Sequence, residues 1–363
     1  MLIPLPHATV ATSGTKAATL AALHRRGFAV PAGFVIPYDV TEGITEDGPA
    51  DLHRVVDRAL TDLGAAAVAV RSSAADEDTT DTSAAGQYDT VLEVEADAGS
   101  TLAAVRTCLA SRHGPRSLAR RGTATPPAPM AVLVQAMVDA EVAGVLFTPT
   151  SEDADTVIEC TPGLGVGVVD GTVTPQHLRV LPDGSLAGGP DPHEDAVILR
   201  RDQIRSLTEL GCRIAQVRGR AQDIEWAISG NQIWVLQSRP VTAVVPASVE
   251  TVATDRETLR GAAGSPGTAT GRAVLVHGPA DFDRVRPGDV LVCAHTSPAW
   301  TPLLRMVSAV VTQTGGVLSH AAIVAREAAI PAVLGVPGAL SRIVEGDRIS
   351  VDGTRGIVQP LKE

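Results

Sequence analysis

The chain has 363 residues, 44% of them hydrophobic, with 34 glycines and 25 prolines that form no repeat; this excludes a disordered chain and leaves room for two domains, or three. A net charge of −11, with no stretch that interleaves Lys and Arg with aromatics, argues against nucleic acid as a partner. The start Met1-Leu-Ile-Pro-Leu-Pro-His7 has no basic n-region, no later run could span a bilayer, and Cys108, Cys160, Cys212 and Cys293 are widely scattered; a soluble cytoplasmic protein with no membrane partner, metal-binding CxxC pair or disulfide framework is expected.

In chain order, Ser13 to Leu23 reads as a turn followed by an amphipathic helix that Gly27 ends, and Val30 to Ile36 as a turn into a strand. Leu52 to Leu63 has helical period. Ala65 to Val70 is a buried strand that delivers Arg71-Ser72-Ser73 at its end. Val91 to Val94 is a strand, Leu102 to Ala110 a helix, and Met130 to Val138 a strand, followed by strands at Gly144 to Phe147 and Thr156 to Glu159. Interspersed helices and strands of this kind indicate an α+β or α/β domain over 1–242. The aperiodic stretch 243–257 reads as a linker. A compact domain follows over 258–363, with strands at Asp289 to Val292, Ala309 to Thr312 and near Ile349 and Ile357.

The most informative block is Gln313-Thr-Gly-Gly-Val-Leu-Ser-His320, which runs into Ala321 to Glu327. It places His320 on a glycine-rich turn at the mouth of a helix. Unpaired N–H groups and the helix dipole there favour an anion and a neutral imidazole, which is a nucleophile. Gly315 and Gly316 permit close backbone approach, and Thr314 and Ser319 offer hydroxyls to phosphate oxygens. A capping or buried structural histidine is the alternative at this point.

The hairpin Asp223 to Arg239 can be read geometrically. With its turn centred on Asn231, Glu225 and Gln237 face each other. Strand alternation then puts Asp223, Glu225, Gln237 and Arg239 on one face and Ile224, Trp226, Ile228, Trp234 and Leu236 on the other. A carboxylate and an amide oxygen suit Mg²⁺, and a nearby arginine suits phosphates; a solvated amphipathic face is the alternative. Arg71-Ser72-Ser73 and the small-residue loop Ser83 to Gln87 could fold over a triphosphate, while the acidic run Asp76 to Asp78 reads as a solvated turn. Of the 30 basic residues only Lys16 and Lys362 are lysine, which marks Lys16 as a candidate phosphate ligand. Lys16 does not sit in a Walker A loop, and Gly163-Leu-Gly-Val-Gly167 lacks the GxGxxG spacing. His295 and Trp300 precede the histidine strand and either line an acceptor path or pack their loop.

Together these segments resemble the phosphohistidine dikinase family, which includes phosphoenolpyruvate synthase, pyruvate phosphate dikinase and the rifampicin phosphotransferases. The resemblance rests on Gly14 to Leu20, Val68 to Ala74, Ser83 to Gln87, Val134 to Val138, Gln222 to Trp226 with Leu236 to Pro240, and Thr312 to Gly335. It implies an ATP-grasp nucleotide-binding domain joined to a swivelling phosphohistidine domain, with ATP and Mg²⁺ as cofactors. It also implies roles: Lys16, Arg71 and Arg239 on phosphates, Gln135 by the nucleotide, Glu225 and Gln237 on Mg²⁺, and His320 phosphorylated by the β-phosphate of ATP with release of AMP and phosphate. Thr15 and Ala17 stand where the family usually has glycine, and the segment between Ile36 and Val68 is short. No barrel for phosphoenolpyruvate and no helical rifampicin-binding domain is recognisable.

Two functions remain open on this reading. One is a phosphotransferase with a small-molecule phosphate acceptor; the other is a phosphocarrier subunit that hands the group to a protein partner holding the acceptor site. An ATP-grasp ligase forming acyl phosphates is a third, and it leaves the His320 block unexplained.

Overall fold

The computed structural model describes residues 1–44, 50–77, 88–114, 117, 127–187, 198–241 and 258–361. The loop Ser83 to Gln87, the residue Asp78, the expected linker 243–257 and Lys362 lie outside them. The chain divides into two compact units, 1–143 with 213–240, and 144–212 with 241–363. This partition by packing cuts across the chain division expected at 242.

The first unit is built on an antiparallel sheet whose strands run in the order Ile3–Pro4, Gly33–Ile36, Met130–Ala136, Ala67–Ala74, Thr90–Glu95. Alternation divides its two faces. Val68, Val70, Val132, Val134, Phe34 and Ile36 join Leu52, Val56 and Leu60 of the helix Ala50–Leu63 and Leu102, Val105 and Leu109 of the helix Ala98–Ala110 in one buried cluster. The i, i+4 spacing in the first helix and the i, i+3, i+7 spacing in the second are what make each present an apolar stripe. Asp97 caps the second helix, its carboxylate accepting from the Ser100 N–H at 2.9 Å.

The opposite face carries polar groups. Arg71 and Ser73 alternate with Val70 and Ser72, and Gln135 lies opposite Ala69. The helix Val10–Arg25 meets this face, its first turn broken at Gly14, where φ is +78°. A Cβ at Gly14 would come within 2.1 Å of the Ser73 carbonyl oxygen, so only glycine allows this approach. The Ser73 hydroxyl completes the joint by donating to the Ser13 carbonyl and accepting from the Ala17 N–H. Arg71 does not follow the strand, as the sequence implies; the strand Ala67–Ala74 contains it.

In the second unit an eight-stranded sheet holds the histidine segment. Its centre is parallel, Thr268–Val276, Val290–Cys293, Ala309–Thr312 and Ala332–Leu334, and its flanking pairings are antiparallel. Alternate residues enter two separate cores: Val274, Leu291, Cys293 and Val310 one, Ala273, Val290, Val292 and Val311 the other. Burial on both faces explains their unbroken apolar runs. The helix His320–Glu327 is the crossover between the third and fourth of these parallel strands.

The unit also contains strands Thr156–Pro162 and Gln176–Val180, paired antiparallel, and part of the helix Arg201–Arg218. The sequence reading has neither Gln176–Val180 nor this helix. Gly211 interrupts the helical pattern and sits in close packing: a Cβ there would lie 2.7 Å from a Leu146 methyl, which would have to shift.

Candidate active site

Three cations of the first unit each meet a carboxylate. Lys16, 6% exposed, donates from Nζ to the Ser72 carbonyl and to Glu77 Oε1, both at 2.9 Å. Glu77 is itself 4% exposed and also accepts from the Ala74 N–H. The acidic run is therefore not a solvated turn at its centre: Asp76 is exposed, whereas Glu77 turns inward because a buried ammonium needs a counter-charge. Arg71 Nη2 donates to Gln237 Oε1 at 2.8 Å and lies 3.3 Å from Glu225 Oε2, while Nη1 donates to the Leu236 carbonyl. Arg239 Nε donates to Asp223 Oδ2 at 2.7 Å in a buried pair.

The hairpin Gln222–Ser229 with Gln232–Pro240 does set Gln237 opposite Glu225 and Arg239 opposite Asp223. The route differs from the one expected. At the tip Gln232 pairs with Ser229, a register that would carry Glu225 to Leu236; a bulge between Val235 and Gln237 adds the residue that restores the pairing. The bulge also changes the faces. Trp234 pairs with Ala227 and so shares the Glu225 face, while Ile233 and Val235 lie opposite Ile228 and Trp226. Trp234 and Leu236 are thus not partners of Trp226 as predicted.

The oxygens of Glu225 and Gln237 converge on one positive group, the Arg71 guanidinium, which is what a hard cation at this place would require of them. Among the described residues no group of three or more His, Cys, Asp or Glu forms a self-sufficient metal site. Two protein oxygens with substrate phosphates completing the shell is the pattern that fits Mg²⁺. Gln135 is not drawn to this cluster by its amide: it is buried, and Nε2 donates to the Pro31 carbonyl at 3.0 Å.

In the second unit His320 is the first residue of its helix and 5% exposed. Its Nδ1 lies 2.9 Å from Thr296 Oγ1 and its Nε2 3.4 Å from Thr301 Oγ1. The parallel pairing of Cys293 with Thr312 brings these groups together, because it ends two adjacent strands side by side and releases both loops at the carboxyl edge of the sheet. The ladder continues past the strands, Gln313 N–H to Cys293 O and Thr314 N–H to Ala294 O. Gly315, with φ +98°, makes the turn. The Thr314 hydroxyl donates to the Gly171 carbonyl at 2.8 Å, with the Ala294 carbonyl 3.1 Å away, and Ser319 Oγ donates to the Gly316 carbonyl; these hydroxyls shape the loop in this structure, where the sequence reading gave them to phosphate. Trp300 packs edge-to-face on Phe282, ring centroids 5.1 Å apart, and His295 is exposed.

Four residues at these sites were not singled out by the sequence reading: Glu77, Thr296, Thr301, and Glu159, whose carboxylate accepts from the Val317 and Leu318 N–H groups before His320. Glu159 had a visible signal, a charge at the end of an apolar strand run. The threonines had none, since threonine in a loop is ordinary.

Comparison with known proteins follows the same residues. The family described as pyruvate phosphate dikinase, AMP/ATP-binding domain, matches 44–188 and 189–259, a span that contains Arg71, Gln135, Glu225, Gln237 and Arg239. The family described as PEP-utilising enzyme, mobile domain, matches 285–356, around His320. The chain is 38% identical over 319 residues to a probable phosphoenolpyruvate synthase of Methanothermobacter thermautotrophicus, covering 80% of this chain and 46% of that protein. It is 35% identical to one from Archaeoglobus fulgidus, with 80% and 43% covered, and 34% identical to the phosphoenolpyruvate synthase of Pyrococcus furiosus, with 80% and 40% covered. The chain thus spans somewhat under half the length of these curated relatives. Two family matches in the expected order, over segments that carry Arg71, Arg239 and the histidine loop, make this chain a member of the phosphohistidine dikinase family.

Proposed function

We propose that the chain is an ATP-dependent phosphotransferase that moves the β-phosphoryl group of ATP to His320 and then to a small-molecule acceptor, releasing AMP and phosphate. The observation that carries this reading is the occurrence of two preformed sites within one family architecture: the Arg71 guanidinium held by the Glu225–Gln237 oxygen pair, and a buried imidazole oriented by threonine hydroxyls. In this reading residues 1–242 bind the nucleotide, 258–363 form the mobile histidine domain, and 243–257 link them.

Lys16, Arg71 and Arg239 offset polyphosphate charge, Gln135 lies by the nucleotide, and Glu225 and Gln237 hold Mg²⁺. When bound, Mg²⁺ supplies charge neutralisation at the phosphoryl oxygens. Thr296 Oγ1, accepting from Nδ1–H, fixes the tautomer whose Nε2 lone pair is the nucleophile. That lone pair forms the N–P bond at the β-phosphorus as the bond to the oxygen shared with the α-phosphate breaks; AMP leaves with the β- and γ-phosphates on Nε2, and water then cleaves the β–γ anhydride bond, releasing phosphate and leaving the β-phosphoryl group on His320. Positioning and charge are the main demands of such a transfer. The protein works in a reducing cytoplasm, in keeping with its four free cysteines; no helix among the described residues is long and apolar enough to cross a membrane.

The test is a screen of acceptors, pyruvate first because the relatives are named phosphoenolpyruvate synthases, with AMP release followed and His320→Ala as the blank. ATP labelled in the β-phosphate should label wild-type protein and leave His320→Ala unlabelled. Turnover by His320→Ala at the wild-type rate would overturn the mechanism. A second reading is a phosphocarrier that hands the group to a protein partner. It predicts that the isolated chain takes label yet turns over only when the partner is added.

A further inference from the structure

Glu159 is a charged residue of the second unit to which the reaction above gives no role. It lies in the strand Thr156–Pro162 and is 0% exposed. Its Oε1 accepts from the Val317 N–H at 2.7 Å and its Oε2 from the Leu318 N–H at 3.0 Å, and the His177 Nδ1 stands 3.1 Å from Oε1. Two successive N–H groups converging on one anion in a glycine-rich bend form the kind of nest that elsewhere holds phosphate; here it holds the protein's own carboxylate.

The rest of this contact is equally specific. Thr314 Oγ1 donates to the Gly171 carbonyl at 2.8 Å and the Gly315 N–H to the Val173 carbonyl at 3.1 Å. Val317 and Leu318 pack with Val145, Phe147, Val157 and Val168. Gly316 has no side chain to obstruct the carboxylate, and a Cβ there would lie 2.3 Å from Glu159 Oε1. The Gly316 φ is not in the left-handed region, so the need for glycine at this position comes from Glu159 and not from backbone strain.

We propose that Glu159 is a positioning residue: its carboxylate seats the loop 314–318 on the segment 159–173, sets His320 for charging, and must release the loop before the phosphoryl group is delivered. This rests on the reading of His320 as the phosphorylated residue. A carboxylate is suited to a reversible seat. Its directional bonds fix one register of the loop, and on opening both the carboxylate and the N–H groups regain bonds to water, so the polar part of the contact costs little to part. An apolar clasp of the same size would hold without register and would expose its whole area on release.

The experiment uses the full chain and four variants, E159A, E159Q, G316A and the double E159A/G316A. Two quantities are read: hydrogen exchange of the amides of Val317 and Leu318, and the rate of label uptake from ATP carrying a labelled β-phosphate. E159A and G316A should each speed exchange and slow labelling by about tenfold or more, since each breaks the same charge-assisted pair of bonds. The KM for ATP should stay within about twofold, because no nucleotide-binding group is touched. The double variant should be no worse than E159A alone, as neighbours acting through one contact are not additive.

Labelling by E159A at the wild-type rate, or a G316A effect that adds in full to that of E159A, would overturn the proposal. If E159A loses its cooperative thermal transition, the isosteric E159Q carries the comparison, since its amide nitrogen sets a donor against one of the two N–H groups. A wild-type chain that takes no label defeats the reading of His320. Unchanged exchange in E159Q separately defeats the seat.

Discussion

The cation cluster of the first unit and the histidine loop of the second solve opposite electrostatic problems. In the first, Lys16, Arg71 and Arg239 are each set against a carboxylate: Glu77, Glu225 and Asp223. In the second, threonine hydroxyls lie at both imidazole nitrogens, Thr296 at Nδ1 and Thr301 at Nε2. Buried cations need internal counter-charges to be held in place when no polyanion is present. A histidine that must act as a neutral nucleophile needs the reverse, partners that fix its tautomer and add no charge. The difference teaches that the cations of the first unit are held by ion pairs with carboxylates, while the imidazole of the second is held by hydroxyls.

The sharpest way to break that contrast is at the nucleophile. His320→Ala should abolish protein labelling from β-labelled ATP altogether, while its thermal transition stays close to wild type; residual labelling at another residue would move the accepting site elsewhere. Next in size is Arg71→Ala, which removes the group that Glu225 and Gln237 share. Its labelling rate should fall about 10²-fold, the usual effect of deleting one preorganised charge from a transfer site, and Arg71→Lys should recover only part of this because a compact ammonium lacks the planar fork of the guanidinium.

Asp223→Ala tests the claim that the ion pairs also hold the first unit together. Leaving the Arg239 guanidinium buried without its carboxylate should cost about 3–5 kcal/mol in a denaturant titration. A loss under about 1 kcal/mol would mean that the pair behaves like an exposed salt bridge.

The smallest effect is chemical. Burial pushes the Cys108, Cys160 and Cys293 thiols up to about 12, so at pH 8 they stay protonated and shielded, whereas Cys212 is exposed. One thiol should therefore react with an alkylating reagent in the native protein and four after denaturation. Rapid reaction of Cys160, next to Glu159 in the seat strand, would show that the seat opens on its own.

Much of this was legible in the sequence, and the reasons are local. Helix period located Ala50–Leu63, and apolar runs located two of the four parallel strands, Val290–Cys293 and Ala309–Thr312, because those patterns report burial directly. The glycine-rich turn before His320 was readable since few residues allow that backbone. The pairing of Glu225 with Gln237 was anticipated on an assumed turn centre, and it holds because the bulge at Leu236 compensates for a different turn. The same bulge put Trp234 on the face where the alternation rule did not place it. Bulges leave no mark in composition, so a register read from symmetry is vulnerable to them.

The sequence by itself determined the family, the order of its segments and the residue types offered for chemistry, since these depend on motifs continuous along the chain. The tertiary structure alone decided who meets whom. Glu77 finds Lys16 across 61 residues, Arg71 finds Gln237 across 166, Thr296 reaches His320 from a neighbouring strand end, and Glu159 finds Val317 and Leu318 at separations of 158 and 159. Such partners are set by register and by close packing at glycine, properties of the assembled sheet that no local pattern encodes.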